Sequence, residues 1–307
     1  MSTAFLFPGQ GSQYVGMGKD LYESFDDVKD VYKVADSTLG YSLSDLCFGG
    51  PEEELKQTKN TQPAVLTHSV AVFTLLSKNG IKPDVVAGHS VGEYSALVAS
   101  GALSFSDAIK LIRVRAELME KPEGTMLAIL GLSKEDVSEI CKEASGYGII
   151  EPANFNCPGQ IIISGETKAI EKAAEIAKGK KGKAIRLSVS GPFHSSLMKD
   201  ASTKLADYLK NVEINVPNIN IVANVSADYV KIVSDIRESM AKQVSNPVKW
   251  EETISRMLND GVNKFVEVGP GKVLSGLVKR IKKDVFITNV EDIDSFKKTL
   301  ELVGVVR

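Results

Sequence analysis

Ala87-Gly88-His89-Ser90-Val91-Gly92-Glu93-Tyr94 is the stretch that decides how the rest of the chain is read. Ser90 stands two residues from a glycine on either side, in a Gly-x-Ser-x-Gly pattern. The apolar run Asp84-Val85-Val86-Ala87 ahead of it reads as a buried strand, and Tyr94-Ser95-Ala96-Leu97-Val98-Ala99 behind it as a helix stopped near Gly101. A strand that turns tightly into a helix lifts a serine hydroxyl clear of the backbone. The glycines leave room for the turn, and the N–H after the serine can face a developing oxyanion. The plainer reading, a small-residue turn between a core strand and a core helix, leaves that context unexplained.

The 307 residues suffice for one elaborated domain or two, and apolar and charged contents sit near globular averages. A net charge of -2 argues against general nucleic-acid binding, which needs a broad basic surface. No apolar run approaches the roughly 20 residues of a membrane span, and residues 1–8 lack the basic start of a signal peptide. Cys47, Cys141 and Cys157 are few, odd in number and widely spaced, so neither a disulfide framework nor a cysteine zinc site is indicated. A cytoplasmic protein without metal or cofactor is expected, and a monomer.

Outward from the serine turn, Ala4-Phe7 reads as a short strand closed by Pro8-Gly9-Gln10-Gly11, with a helix beginning near Gly16. The glycine-rich loops fail as phosphate cradles: Gln13 stands where a P-loop ending at Gly18-Lys19 needs glycine, and Val266 and Val273 break the pattern around Gly271-Lys272. Thr61-Gln62-Pro63 opens a helix to about Lys78, with Thr61 as its N-cap and His68 packed beside its apolar face. After Gly124 the order of elements is β-α-β-β-α-β, with strands at 126–130, 149–154, 160–164 and 183–187 and helices at 134–144 and 167–178. That is the split pattern of a ferredoxin-like unit. Catalytic-looking material resumes directly after it, so residues 125–189 are expected as an insertion in a larger α/β unit made of 1–124 and 190–307. Strands at 220–223, 264–268 and 284–288 complete the main sheet.

Two further residues carry chemistry. The helix from Asp107 to about Lys121 has an apolar stripe of Ala108, Leu111, Ile112, Leu118 and Met119, and Arg115 falls in the middle of it. A core-facing arginine cannot shed its charge and needs an anion, either an internal Asp or Glu or the carboxylate of a substrate. Spacing does not separate the two. The chain has three histidines. His89 adjoins Ser90 and points away from it on a tight turn, and His68 lies in the earlier helix. His194, in the Gly191-Pro192-Phe193-His194-Ser195 loop, is the candidate base. A hydrolase triad places an acid between serine and histidine, but Asp107 and Asp136 are poorly placed for it, so a dyad steadied by a neutral acceptor is expected. Two basic clusters, Lys178 through Lys183 and Lys279 through Lys283, are either solvated faces or a docking surface for a small acidic protein.

With these residues collected, the chain resembles the malonyl-CoA:acyl carrier protein transacylases, within the acyltransferase domains of fatty-acid and polyketide synthesis. The resemblance is carried by Phe-Pro-Gly-Gln-Gly-Ser-Gln at 7–13, Thr-Gln-Pro-Ala at 61–64, Gly-His-Ser-Val-Gly-Glu-Tyr at 88–94 and Asn-Phe-Asn-Cys-Pro-Gly-Gln at 154–160. It continues through the His194 loop, Asn-Pro-Val-Lys-Trp at 246–250 and Glu-Val-Gly-Pro-Gly-Lys-Val-Leu at 267–274. It implies a hydrolase-like α/β core with a mainly parallel sheet and an inserted ferredoxin-like βαββαβ unit. It implies Ser90 as the acylated nucleophile and His194 as its base, Gln10 and Val91 as backbone oxyanion donors, and Arg115 as the seat of the malonyl carboxylate. Gln243 falls where a backbone carbonyl orients the histidine. Phe193 before His194 matches the malonyl type, where a bulky side chain crowds an α-methyl group, and Val91 fits that type too. Gly191-Pro192 departs from the His-Ala found there in synthase-embedded domains. The implied reaction is ping-pong transfer of malonyl from malonyl-CoA to the phosphopantetheine thiol of acyl carrier protein, supplying fatty-acid synthesis, with both thioesters as substrates. The alternative is a serine esterase or thioesterase.

Overall fold

The structure is a computed structural model that describes residues 2–302. Six strands form the main sheet: β1 (Ser2–Phe7), β2 (Val85–Gly88), β7 (Asn220–Val222), β8 (Tyr229–Val230), β9 (Val262–Val268) and β10 (Phe286–Val290). Their order is β10-β9-β1-β2-β7-β8, parallel throughout except for the antiparallel β7–β8 edge pair. Four strands form a second, antiparallel sheet in the order β4-β5-β3-β6: β3 (Thr125–Leu130), β4 (Ile150–Cys157), β5 (Gln160–Gly165) and β6 (Lys183–Arg186). With the Lys134–Ala144 and Thr167–Gly179 helices between its strands, this is the ferredoxin-like order the sequence predicts.

The central strands are apolar on both faces because a parallel sheet is covered on both. Period-two alternation divides them between two cores. Phe5, Phe7, Val86, Ile221, Val266 and Val268 enter the larger core, which the Thr58–Lys78, Gly92–Ala99 and Phe105–Met119 helices complete. Ala4, Leu6, Val85, Ala87, Val222 and Phe265 face the other, against the Trp250–Asn259 and Val273–Ile281 helices. Ser90 therefore leaves the carboxyl end of a strand in the middle of the sheet, where open α/β folds place their ligands.

Several boundaries differ from the sequence reading: the strands expected at 149–154 and 284–288 run Ile150–Cys157 and Phe286–Val290, and three helix starts move. The long helix begins at Thr58, not at Thr61. Thr61 lies inside it and its hydroxyl donates to the Leu55 carbonyl at 2.5 Å. Pro63 is then an interior proline that cannot donate to the Lys59 carbonyl, and Arg113 Nη1 donates to that carbonyl instead, at 3.4 Å. Near the N-terminus, Gly16 and Gly18 stay in left-handed turns, so the helix starts at Lys19. The Arg115 helix starts at Phe105 because Ser104 caps it, accepting the Asp107 N–H at 3.1 Å.

Candidate active site

The turn after β2 is as tight as the glycine pattern predicts. Ser90 sits at φ 52°, in the left-handed region that L residues avoid. A Cβ on Gly88 would strike the Gly92 carbonyl, and one on Gly92 would strike the Phe7 carbonyl of β1, so only hydrogen fits at either place. Asn224, 1% exposed at the end of β7, clamps the turn from the other side. Its Oδ1 accepts the Ser90 N–H at 2.8 Å and its Nδ2 donates to the Gly88 carbonyl at 2.6 Å. A strained turn persists only where its surroundings determine it this fully.

His194 meets the serine across 104 residues of chain. Its Nε2 lies 2.8 Å from Ser90 Oγ and its Nδ1 lies 2.8 Å from the Gln243 carbonyl oxygen. A carbonyl only accepts, so Nδ1 carries the proton and Nε2 is left to accept the serine hydroxyl. Burial, and then the nearby Arg115 charge, push the imidazole pKa down to about 3, which keeps it neutral. Among the described residues no carboxylate stands behind it. Asp107 is spent on the Ser104 cap and Asp136 on a capping box with Ser133. The other two histidines have different work. His89 bonds Asn156 Oδ1 at 2.8 Å, and His68, fully buried, bonds the Tyr32 hydroxyl and the Glu291 carbonyl.

Arg115 is 0% exposed. Its Nη1 donates to Gln62 Oε1 at 2.7 Å, and its Nη2 to Gln243 Oε1 at 2.9 Å and to Ser90 Oγ at 3.1 Å. The guanidinium lies over the Tyr94 ring at 5.5 Å, while Nε has no partner among the described residues. Neutral oxygens hold it, and no described carboxylate comes within ion-pair distance. The internal ion pair that spacing left open is therefore absent among the described residues. A buried cation beside Ser90, without a carboxylate partner among the described residues, suits an arriving anion.

A cavity opens over Ser90 and His194, lined in part by Gln10, Phe193, Met126, Ile162 and Leu277. Phe193 is 5% exposed. Gln10 is fixed by its side chain, with Nε2 donating to Thr58 Oγ1 at 3.1 Å. Val91 is fully buried directly after Ser90. Among the described residues, neither the Gln10 nor the Val91 backbone N–H has a protein acceptor. Of the two basic clusters, the second reaches this cavity, where Arg280 Nη1 donates to the lining residue Gln160 at 2.6 Å.

The structure thus brings together Ser90, His194, Arg115 and Gln243, and sets Gln10 and Phe193 on the cavity wall. Sequence reasoning missed Gln62, Glu93 and Asn224. Glu93 is 2% exposed and accepts from Gln243 Nε2 at 2.9 Å, from the Asn224 N–H at 3.0 Å and, at 3.5 Å, from Ser239 Oγ. Its one sequence signal is a charge beside the turn, in a helix otherwise apolar or small.

A doubly covered parallel sheet whose strand passes through a strained serine turn into a helix, with a neutral histidine at the serine hydroxyl, is the arrangement of the α/β enzymes that share this turn. Within that class, the chain belongs to the acyl transferase domain family, which matches residues 4–304. It is 48% identical to a malonyl CoA-acyl carrier protein transacylase of Bacillus subtilis (strain 168), over 97% of each chain. The crystal structure of a transacylase of the same name from Clostridium perfringens superimposes with a TM-score of 0.95 at 44% identity, over 99% of this chain and 97% of that one. The malonyl-transacylase solved in complex with its type II polyketide synthase acyl-carrier protein superimposes at 0.96 and 42%, over 98% and 100%.

Proposed function

We propose that this chain transfers the malonyl group of malonyl-CoA to the phosphopantetheine thiol of acyl carrier protein through a malonyl ester on Ser90. The observation that carries the reading is the Arg115 guanidinium, buried without a carboxylate partner and 3.1 Å from Ser90 Oγ. An acyl group that brings its own carboxylate supplies the missing anion and is positioned by it.

In the first half-reaction, His194 Nε2 takes the Ser90 hydroxyl proton as Oγ attacks the thioester carbonyl. The backbone N–H groups of Gln10 and Val91 hold the oxyanion, each worth about 3 kcal/mol by analogy with other oxyanion holes. Collapse expels the CoA thiolate, which takes the proton from His194. In the second, the carrier's thiol gives its proton to His194 and attacks the ester carbonyl, and the departing Ser90 oxygen recovers that proton. The Gln243 carbonyl holds the imidazole in the tautomer both halves need. Phe193 crowds the acyl α-carbon and favours an unbranched malonyl group.

A serine esterase or thioesterase is not favoured, because the relatives are named as transacylases and the histidine leans on a carbonyl instead of an acid. Residues 125–189 act as a distinct ferredoxin-like subdomain that supplies one wall of the cavity, on a larger subdomain of 1–124 and 190–307. The reaction needs no cofactor beyond its two thioester substrates. The three free, buried cysteines fit a reducing cytoplasm, and a monomer suffices since every proposed site residue lies in one chain.

Incubation with malonyl-CoA alone should add one malonyl mass to Ser90, and added carrier protein should remove it. An adduct elsewhere, none at all, or steady release of malonate to water without carrier would defeat the reading.

A further inference from the structure

Gln243 offers three groups to the site and not one. Its backbone carbonyl holds His194, its side-chain Oε1 accepts from Arg115 Nη2, and its Nε2 donates to the Ser90 carbonyl at 3.0 Å and to Glu93 Oε2 at 2.9 Å. A primary amide is nearly symmetric in shape, so packing alone does not choose between this orientation and the flipped one. Glu93 makes the choice together with the Ser90 carbonyl, since neither can donate. Its carboxylate only accepts, and three donors converge on it: Gln243 Nε2, the Asn224 backbone N–H and the Ser239 hydroxyl. Facing that oxygen, the amide must present its NH2 to Glu93 and therefore its oxygen to the guanidinium. Flipped, it would set donors against donors at Arg115 and an acceptor against a carboxylate at Glu93.

We propose that Glu93 is a positioning residue for acyl-group selection, which holds Arg115 through the Gln243 amide so that the guanidinium is anchored without being neutralised by contact. Glu93 in direct contact with Arg115 would form an ion pair and occupy the N–H groups that a substrate carboxylate needs. One amide between them keeps the opposite charge near enough to compensate the buried cation and leaves the seat open. The same carboxylate takes the backbone N–H of Asn224, whose side chain clamps the serine turn, so seat and nucleophile share one anchor. The inference rests on the reading of Arg115 as a carboxylate seat.

The test measures kcat/KM for acylation of Ser90 by malonyl-CoA and by acetyl-CoA, followed by mass, in the intact chain. Glu93→Gln keeps the shape but removes the charged one of the two acceptors that hold the amide, and the malonyl-to-acetyl ratio is expected to fall about tenfold or more. Gln243→Leu, which keeps the backbone carbonyl, should lower the ratio similarly, and the double variant should fall no further than the larger single effect. An unaltered ratio in Glu93→Gln, with both acyl groups slowed equally, would overturn the inference, as would multiplying effects in the double variant. If Glu93→Gln does not fold, an unaltered ratio in Gln243→Leu overturns it alone. Arg115→Ala in the same assay keeps the two ideas apart: a ratio that survives its loss defeats the seat itself.

Discussion

Arg115 and His194 are buried side by side, and each sets the other's chemistry. An imidazole near the ordinary value of about 6.5 would lose its basic form between pH 7 and 5. Burial first, and the Arg115 charge second, instead carry His194 down to about 3. The base is therefore neutral across that whole range, and kcat/KM for Ser90 acylation should hold level from pH 7 to 5. Removing the cation removes one of the two depressing causes. In Arg115→Ala, the acidic limb should move to higher pH, though not as far as 6.5, since the desolvation remains. Single-turnover acylation by acetyl-CoA, which needs no carboxylate seat, reads both profiles. A parent limb centred near 6.5, or a limb that moves down in the variant, contradicts this account. In the proposed reaction, a malonyl carboxylate paired to Arg115 would have the same sign of effect as the substitution and would make His194 a stronger base.

At the scale of elements, the serine turn and the Val273–Ile281 helix show opposite uses of glycine. Gly92 is pressed against the β1 carbonyl of Phe7. Gly92→Ala should cost about 3 kcal/mol or more and abolish Ser90 acylation, because backbone and not a flexible side chain has to move. Gly276 is exposed inside its helix with open space where a Cβ would stand. Gly276→Ala should add about 0.5–1 kcal/mol, read from the urea midpoint; destabilisation there would mean the site is not open. The same contrast governs what was legible in the sequence. Patterns that act over a few residues could be read: the serine turn, the ferredoxin-like order, and one arginine on an apolar stripe. The Asp26–Leu39 helix carries the same kind of signal in Val28, Tyr32 and Ala35, and the reading passed over it. Asn224 and Glu93 could not be found this way, because their roles are set by partners more than 130 residues distant. Gln243 was placed by resemblance for its backbone alone, and its amide acquires meaning only when Glu93 and Arg115 stand on either side of it.

Across the whole molecule, His68 and His194 are buried neutral and the half-buried His89 is pushed in the same direction, which couples the site's chemistry to the stability of the fold. Burial lowers His68 to about 4, and it lowers His89 as well as His194. Their unfolded values lie near 6.5, so as pH falls through 6.5 the unfolded chain takes up two protons that native His68 and His194 refuse, His89 acts in the same direction, and stability drops. Two buried carboxyls act with the opposite sign. Burial raises Glu267, which caps the Val273–Ile281 helix through the Leu274 and Ser275 N–H groups, to about 7, and it raises Glu93. Between pH 7 and the unfolded value of 4.5, Glu267 holds a proton in the native state that the unfolded chain releases, and Glu93 acts in the same direction as it takes up its own, so both gain stability as pH falls. Two protons stand against one, with His89 and Glu93 adding to opposite sides. The net effect is a loss of about 1.4 kcal/mol per pH unit for each proton left uncompensated. The urea midpoint should therefore decline from pH 6.5 to 5, before the ordinary carboxylates titrate. Glu267→Gln removes one opposing proton, so its decline over the same interval should be steeper than the parent's by about that amount per pH unit, whatever the substitution costs at neutral pH. A parent midpoint that is flat or rises over this range would mean that the unfolded chain does not gain the protons that the buried histidines exclude.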